Sequence, residues 1–167
     1  FYELTELMGQ ARERVIFQSP YVVCNSWMYE RLTELGDKVP DIRILLNSVE
    51  NGDNFVASSD YLRHKDKVVA TGIPLYEYDG GISNHGKSAL IDGDLSVIGS
   101  YNLDLRSTYV DTELMLVVQS EELNQELEGY LMAMQEDSRK IIDADTYEAP
   151  EHLEIQTAPL MKRIAWA

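Results

Sequence analysis

With 29 Asp and Glu against 14 Lys and Arg in 167 residues, the chain carries a formal net charge of −15 and a sequence pI near 4.4. A field of that sign repels polyanions at long range, so a protein that engages a nucleic-acid backbone through a basic face is disfavoured. The lone Cys24 excludes an internal disulfide, and no apolar run is long enough to span a bilayer. Leu4, Leu7, Met8 and Ala11 recur at helical spacing, and Val15-Ile16-Phe17 then reads as a short strand stopped by Ser19-Pro20. Met28, Leu32 and Leu35 mark a second helix, with Gly36 as its end. Strands are expected over 42–46 and 73–78, separated by a loop rich in Asn, Ser and Asp and by a helix from about 61 to 69. A hairpin turning at Asp92-Gly93 and a buried strand over 114–118 follow. Ser120 with Glu121 and Glu122 then announces a long helix, whose apolar stripe is Leu123, Leu127, Tyr130, Leu131 and Met134.

This alternation predicts an α/β fold, a mixed β-sheet flanked by helices on both faces. One domain is expected over residues 1–142. Beyond it, 143–167 is acidic and aperiodic and reads as a loosely packed tail. Its apolar end, Leu160-Met161 and Ile164-Ala165-Trp166, could instead dock on another part of the protein or begin an interfacial helix. Beginning at Phe1-Tyr2-Glu3, with neither an initiating methionine nor a signal peptide, the chain reads as a fragment.

Chemistry concentrates between His85 and Asn102. The spacing is His85-Gly86-Lys87, four residues, Asp92, six residues, then Gly99-Ser100-Tyr101-Asn102. A phosphodiester is anionic and repels nucleophiles until its non-bridging oxygens are neutralised, and Lys87 can do that. On an extended strand, positions two apart share a face, so His85 and Lys87 would present imidazole and ammonium to one phosphate. Ser100 and Asn102 offer further donors to phosphate oxygens, and Gly99 lets the backbone approach. An attacking histidine needs one free ring nitrogen and a partner for the proton on the other. Glu113, at the mouth of the run Leu114-Met115-Leu116-Val117-Val118, is the carboxylate suited to accept that hydrogen bond.

Plainer readings stand beside these. Asp92-Gly93 between apolar runs is also a turn signal, which favours a structural Asp92 over a phosphate contact. Arg63-His64-Lys65-Asp66-Lys67 is the only basic cluster and reads as a solvated helix face before an anion site. Tyr21, Asn47, Asp53 and Tyr101 fall at strand ends or in a loop, where pocket residues lie, although turn and core roles serve equally. No histidine or cysteine stands in metal-ligand spacing.

The His85 to Asn102 pattern resembles the signature of the phospholipase D superfamily. The likeness extends over about two thirds of the chain, through Ser19-Pro20-Tyr21, the segments 41–46 and 72–78, Asp104-Leu105-Arg106-Ser107 and Glu113. It is similar to the C-terminal catalytic half of a cardiolipin-synthase-like member. That resemblance implies half of an αβα sandwich, no metal and no cofactor. It also implies a two-step reaction on a glycerophospholipid phosphodiester through a phosphohistidine, giving a phosphatidyltransferase or a phospholipase. Relatives use two such motifs, one histidine attacking and the other protonating the leaving alcohol, and His85 could be either. His64 and His152 lie in no second copy, so a partner half is expected from the same polypeptide or from a symmetric subunit. The whole protein is expected at a membrane, the bacterial cell membrane, with this portion itself soluble and nucleic acid disfavoured as a partner. The alternatives are a homodimeric nuclease or other phosphodiesterase, and a non-catalytic module that binds lipid headgroups. Tyr109-Val110-Asp111-Thr112 precedes Glu113 where relatives carry an Asn-containing segment, a departure that bears on substrate more than on catalysis.

Overall fold

The computed structural model describes residues 1–158 and Lys162. Helix α1 (Tyr2–Met8) and strand β1 (Arg14–Gln18) are followed by β2 (Val22–Val23), α2 (Ser26–Lys38), β3 (Asp41–Asn47), α3 (Phe55–Val69) and β4 (Leu75–Tyr78). Next come the hairpin β5 (Ser88–Ile91) and β6 (Leu95–Gly99), then β7 (Leu103–Asp104), α4 (Leu105–Tyr109) and β8 (Met115–Gln119). Helix α5 (Glu121–Glu136), β9 (Ser138–Ile141) and β10 (Tyr147–Glu148) complete the described elements. Eight strands form one mixed sheet in the order β10-β9-β4-β3-β1-β5-β6-β8, while β2 and β7 make a separate parallel ribbon.

Period-two alternation sorts the core. Val15 and Phe17 of β1 join Met8, Met28, Leu32 and Tyr61, whereas Ile16 joins Leu45, Leu90, Leu131 and Met134 on the other side. Helices α1, α2 and α3 therefore cover one face and α5 the other, which is the expected layering. Side-chain caps set the helix starts: Asn25, Asn54, Asp104 and Ser120 each accept from a backbone N–H two or three residues into α2, α3, α4 and α5. The Asn54 cap starts α3 at Phe55 rather than near residue 61. Helix α2 runs through Gly36, whose missing Cβ makes room for Thr71 and Ile73, and ends at Lys38 because Pro40 biases Val39 toward extended backbone.

Three other expectations change. The strand over 114–118 is not buried: β8 is the sheet edge, paired with β6 alone, and Leu114, Leu116 and Val117 are 78%, 63% and 50% exposed. The acidic segment is partly ordered into structure, since Asp143 accepts from the Asp145 and Thr146 N–H groups and turns the chain so that β10 pairs with β9. Further along, Gln156 N donates to Asp79 at 2.8 Å and Lys162 Nζ to the Val49 carbonyl at 3.1 Å. The apolar ending over 160–161 and 164–166 lies outside the described residues. Lys65 of the basic cluster is buried and ion-paired with Glu77 at 2.8 Å, while Arg63 and Lys67 stay exposed.

Pairing of Gln18 with Ser88, Asn47 with Tyr78 and Gly99 with Met115 puts the ends of β1, β3, β4 and β6 and the starts of β5 and β8 at one edge of the layers. The loops after β1, β3, β4 and β6 gather at that edge, and the residues His85, Lys87, Ser100, Asn102 and Glu113 all belong to it.

Candidate active site

His85-Gly86-Lys87 sits in irregular backbone just ahead of β5 rather than on the strand. A buried amide scaffold holds it there. Gln18 faces Ser88 across β1 and β5, accepts from the Ser88 hydroxyl at 2.9 Å and donates to Asn84 Oδ1 at 2.9 Å. Asn84 Oδ1 in turn accepts from the Gly86 N–H at 2.8 Å. Asn47 grips the same loop from β3, accepting from Asn84 N at 2.8 Å and donating to the Asn84 carbonyl at 2.7 Å. Between His85 and Lys87 a Cβ on Gly86 would stand 2.5 Å from Gln18 Oε1, so a larger residue there would displace the Gln18 amide from the scaffold.

The two motif side chains meet. Lys87 Nζ lies 2.7 Å from His85 Nδ1 and 2.7 Å from the His85 carbonyl oxygen, to which it donates. Lys87 is 9% exposed and His85 is exposed. Burial lowers the Lys87 pKa from its ordinary value, opposed by the negative charges of Glu113, Asp53 and Asp104. With an ammonium donating to Nδ1, the proton of a neutral imidazole is assigned to Nε2.

Ser100, Asn102 and Glu113 form the facing cluster. Both carboxylate oxygens of Glu113 accept hydroxyl protons, one from Ser100 and one from Ser107 at 2.6 Å. Ser107 Oγ also accepts from Asn102, from its backbone N at 3.3 Å and its side-chain Nδ2 at 3.4 Å, while Asn102 Oδ1 is buried without a hydrogen-bond partner among the described residues. Glu113 is therefore bonded to serines rather than to His85, whose Nδ1 is occupied by Lys87. Its charge still reaches Lys87, which it favours in the protonated form. Gly99 is required where β6 meets β8, since a Cβ there would stand 2.1 Å from the Leu114 carbonyl oxygen.

The remaining sequence candidates separate from this cluster. Asp92, at φ 52, accepts from the backbone N–H groups of Arg12, Glu13 and Arg14, and its own N–H donates to the Arg14 carbonyl. Burial would raise its pKa, but the three N–H donors outweigh that and hold it below the ordinary carboxylate value. Tyr21, Asn47 and Asp53 come together around a pit of about 10 Å³, room for a single water. Tyr101 is buried with its hydroxyl 2.8 Å from Thr108 Oγ1. Gln18, Asn84 and Ser107 do not emerge from the sequence as site residues. Ser107 has a signal, the cap pattern Asp104-x-x-Ser107, but Gln18 and Asn84 act only through pairings across the sheet. Among the described residues no three His, Cys, Asp or Glu side chains form a metal-sized cluster, and no helix is long and apolar enough to cross a membrane.

The family described as cardiolipin synthase, PLD-like domain, matches residues 4–135. Cardiolipin synthase C of Escherichia coli K12 is 32% identical over 152 residues, covering 81% of this chain and 32% of that protein. Cardiolipin synthase A of Cronobacter sakazakii is 31% identical over 108 residues, 65% of this chain and 22% of that one. The chain thus spans about a third or less of the length of these relatives. Among solved structures, Nuc, a phospholipase D family member from Salmonella typhimurium, superposes with a TM-score of 0.67 at 17% identity over 84% of this chain and 89% of that one. The phosphatidylserine synthase of Haemophilus influenzae gives a TM-score of 0.67 at 14% identity, over 87% of this chain and 37% of that one. These likenesses show the fold.

Proposed function

Since the chain belongs to the cardiolipin synthase family of phospholipase D-like domains, we propose that it supplies half of an active site that cleaves a glycerophospholipid phosphodiester by phosphatidyl transfer. The observation that carries this reading is the 2.7 Å contact between Lys87 Nζ and His85 Nδ1, close enough to the Glu113 cluster for its charge to act on Lys87. A second half, from elsewhere in the polypeptide or from a partner chain, contributes the matching histidine.

In the first step an imidazole nitrogen forms a P–N bond while the P–O bond to the leaving alcohol breaks, and the second imidazolium passes its proton to that alkoxide. An acceptor hydroxyl then attacks phosphorus, gives its proton to the now neutral second imidazole, and the P–N bond breaks. Lys87, Ser100 and Asn102 stabilise the charge on the non-bridging oxygens throughout. As it stands, with Lys87 donating to Nδ1 and the neutral ring's proton on Nε2, His85 has neither a free nitrogen to attack through nor the second proton of an imidazolium donor. A phosphate arriving at Lys87 competes for the ammonium and releases Nδ1, and Glu113 is then the carboxylate available to hold a proton there for attack through Nε2.

The test is product analysis of the full-length protein with phosphatidylglycerol. Cardiolipin with glycerol supports a transferase and phosphatidic acid a hydrolase, each accompanied by an acid-labile phosphohistidine. Cleavage of DNA with no lipid turnover would replace this reading by the homodimeric phosphodiesterase.

A further inference from the structure

A groove of about 410 Å³ begins at the Glu113 cluster and runs down the sheet toward α1. Its head is formed by Glu113 and Ser107, which already belong to the candidate active site. Below them the lining is apolar. Met115 and Val117, two apart on β8, share one face of that strand just after Glu113, while Val97 faces Val117 across the ladder. The opposite wall is Leu4 and Leu7, three apart on α1 and hence on one side of that helix. Gly99 faces Met115 at the top of the ladder, and its missing side chain leaves the Met115 sulfur to lie over the backbone there. The charged side chains of the lining are the carboxylates of Glu3 and Glu113, with no Lys, Arg or His among them.

We propose that this groove takes one acyl chain of the phospholipid whose phosphodiester lies at His85 and Lys87, a binding element that rests on the functional reading above. Three observations fix the occupant. The groove shares Glu113 and Ser107 with the site, so a chain within it lies beside the group that reacts. Two carboxylates with no cationic side chain beside them disfavour a phosphate, a nucleic-acid strand or a free anionic headgroup, whereas the apolar walls between them suit a hydrocarbon chain. The volume falls in the range of ordinary ligand pockets, about 300–1,000 Å³, and its apolar walls reward methylene burial.

The experiment uses the full-length protein and monomeric phosphatidylglycerols with short acyl chains of increasing length, each below its critical micelle concentration so that the chain leaves water on entering the groove, beside deacylated glycerophosphoglycerol. Val117→Trp and Leu7→Trp narrow the groove at positions that are half or partly exposed, so the larger ring can be accommodated. The wild type is expected to gain in kcat/KM with chain length, by up to about fourfold per added buried methylene until the groove is full. Both variants are expected to lose that gain while turning over the deacylated compound within about twofold of wild type. A phosphatidylglycerol with a diazirine on its acyl chain is expected to label the peptides 1–8 and 113–119. Wild-type turnover that ignores chain length, variants that keep the full length dependence, or labelling confined elsewhere would each overturn the groove and leave the phosphatidyl-transfer reading intact. A uniform loss on all substrates in a folded variant would likewise show a structural wall rather than a chain site. Absence of turnover on any phospholipid would instead remove the functional reading, and the groove with it.

Discussion

The β5–β6 hairpin has a closed end and an open end, and they treat polar groups in opposite ways. At the closed end Asp92 is saturated by backbone, taking N–H groups from Arg12, Glu13 and Arg14. At the open end Lys87 shares its ammonium between the carbonyl and the Nδ1 of a single exposed residue, and the Asn102 side chain has, among the described residues, one long contact of 3.4 Å to Ser107. The four residues between Lys87 and Asp92 are strand β5 itself, so the motif spacing records the length of the strand that separates the two ends. A group whose partners are fixed backbone donors holds the fold. One whose partners are exchangeable side chains can be turned to a ligand.

Substitutions should divide along that line, most strongly at His85. His85→Ala in the full-length enzyme is expected to lower phosphodiester turnover by at least about 10²–10⁴-fold, with circular dichroism and thermal midpoint unchanged. A loss of stability comparable to that of Asp92 variants would erase the contrast. Glu113→Gln is expected to cost about 10–100-fold in kcat and to displace the pH profile. Burial already sets the Lys87 pKa below its ordinary value while Glu113 pulls it back up, so removing that charge lowers it further. The alkaline limb of activity, where Lys87 loses its proton, should therefore move to lower pH in Glu113→Gln. A limb that stays in place would uncouple the two residues.

At the closed end the effect belongs to stability. Asp92→Ala leaves three backbone donors without their acceptor and is expected to cost about 2 kcal/mol, read from the denaturant midpoint, with turnover within about threefold of wild type. The Asp92 pKa is depressed in the folded state, so its contribution is full above the unfolded value of roughly 3.9 and is lost as pH falls through the lower folded value. Wild type and variant should therefore converge in stability at strongly acid pH.

The same division explains what could be read from the chain. Helices α1, α2 and α5, the second half of α3, β1, β3, β4 and the hairpin follow from local periodicity and turn chemistry, whereas α4 does not; the motif spacing exposed His85, Lys87, Ser100 and Asn102, and the apolar run after it exposed Glu113. Period alone cannot tell a central strand from an edge strand, so β8 read as buried although it pairs on one side only. Nor can spacing tell which acceptor a carboxylate meets. Glu113 was expected on the histidine and stands on Ser100 and Ser107, because α4 brings Ser107 beneath it. Gln18 and Asn84 were invisible for the same reason: their importance lies in a pairing 66 residues apart.

The smallest effects are expected at the pit beside the site, where Tyr21 and Asp53 stand with Asn47. Room for about one water cannot hold a phosphate ester, and Asp53 is exposed. Tyr21→Phe removes a hydroxyl whose pKa is raised by burial and by Asp104, so it is un-ionised at working pH and gives up no charge. Its kcat/KM should stay within about twofold of wild type. Asp53→Asn takes away a charge that favours protonated Lys87, so the alkaline limb should again move down, but by less than in Glu113→Gln. Glu113 is the stronger contributor, and water screens an exposed carboxylate. Asn47 differs from its two neighbours because its amide holds the Asn84 backbone that carries His85. Asn47→Ala should therefore lower kcat more than either neighbour does. A loss above tenfold in a folded Tyr21→Phe would place substrate in the pit and move the open end of the hairpin away from its central role.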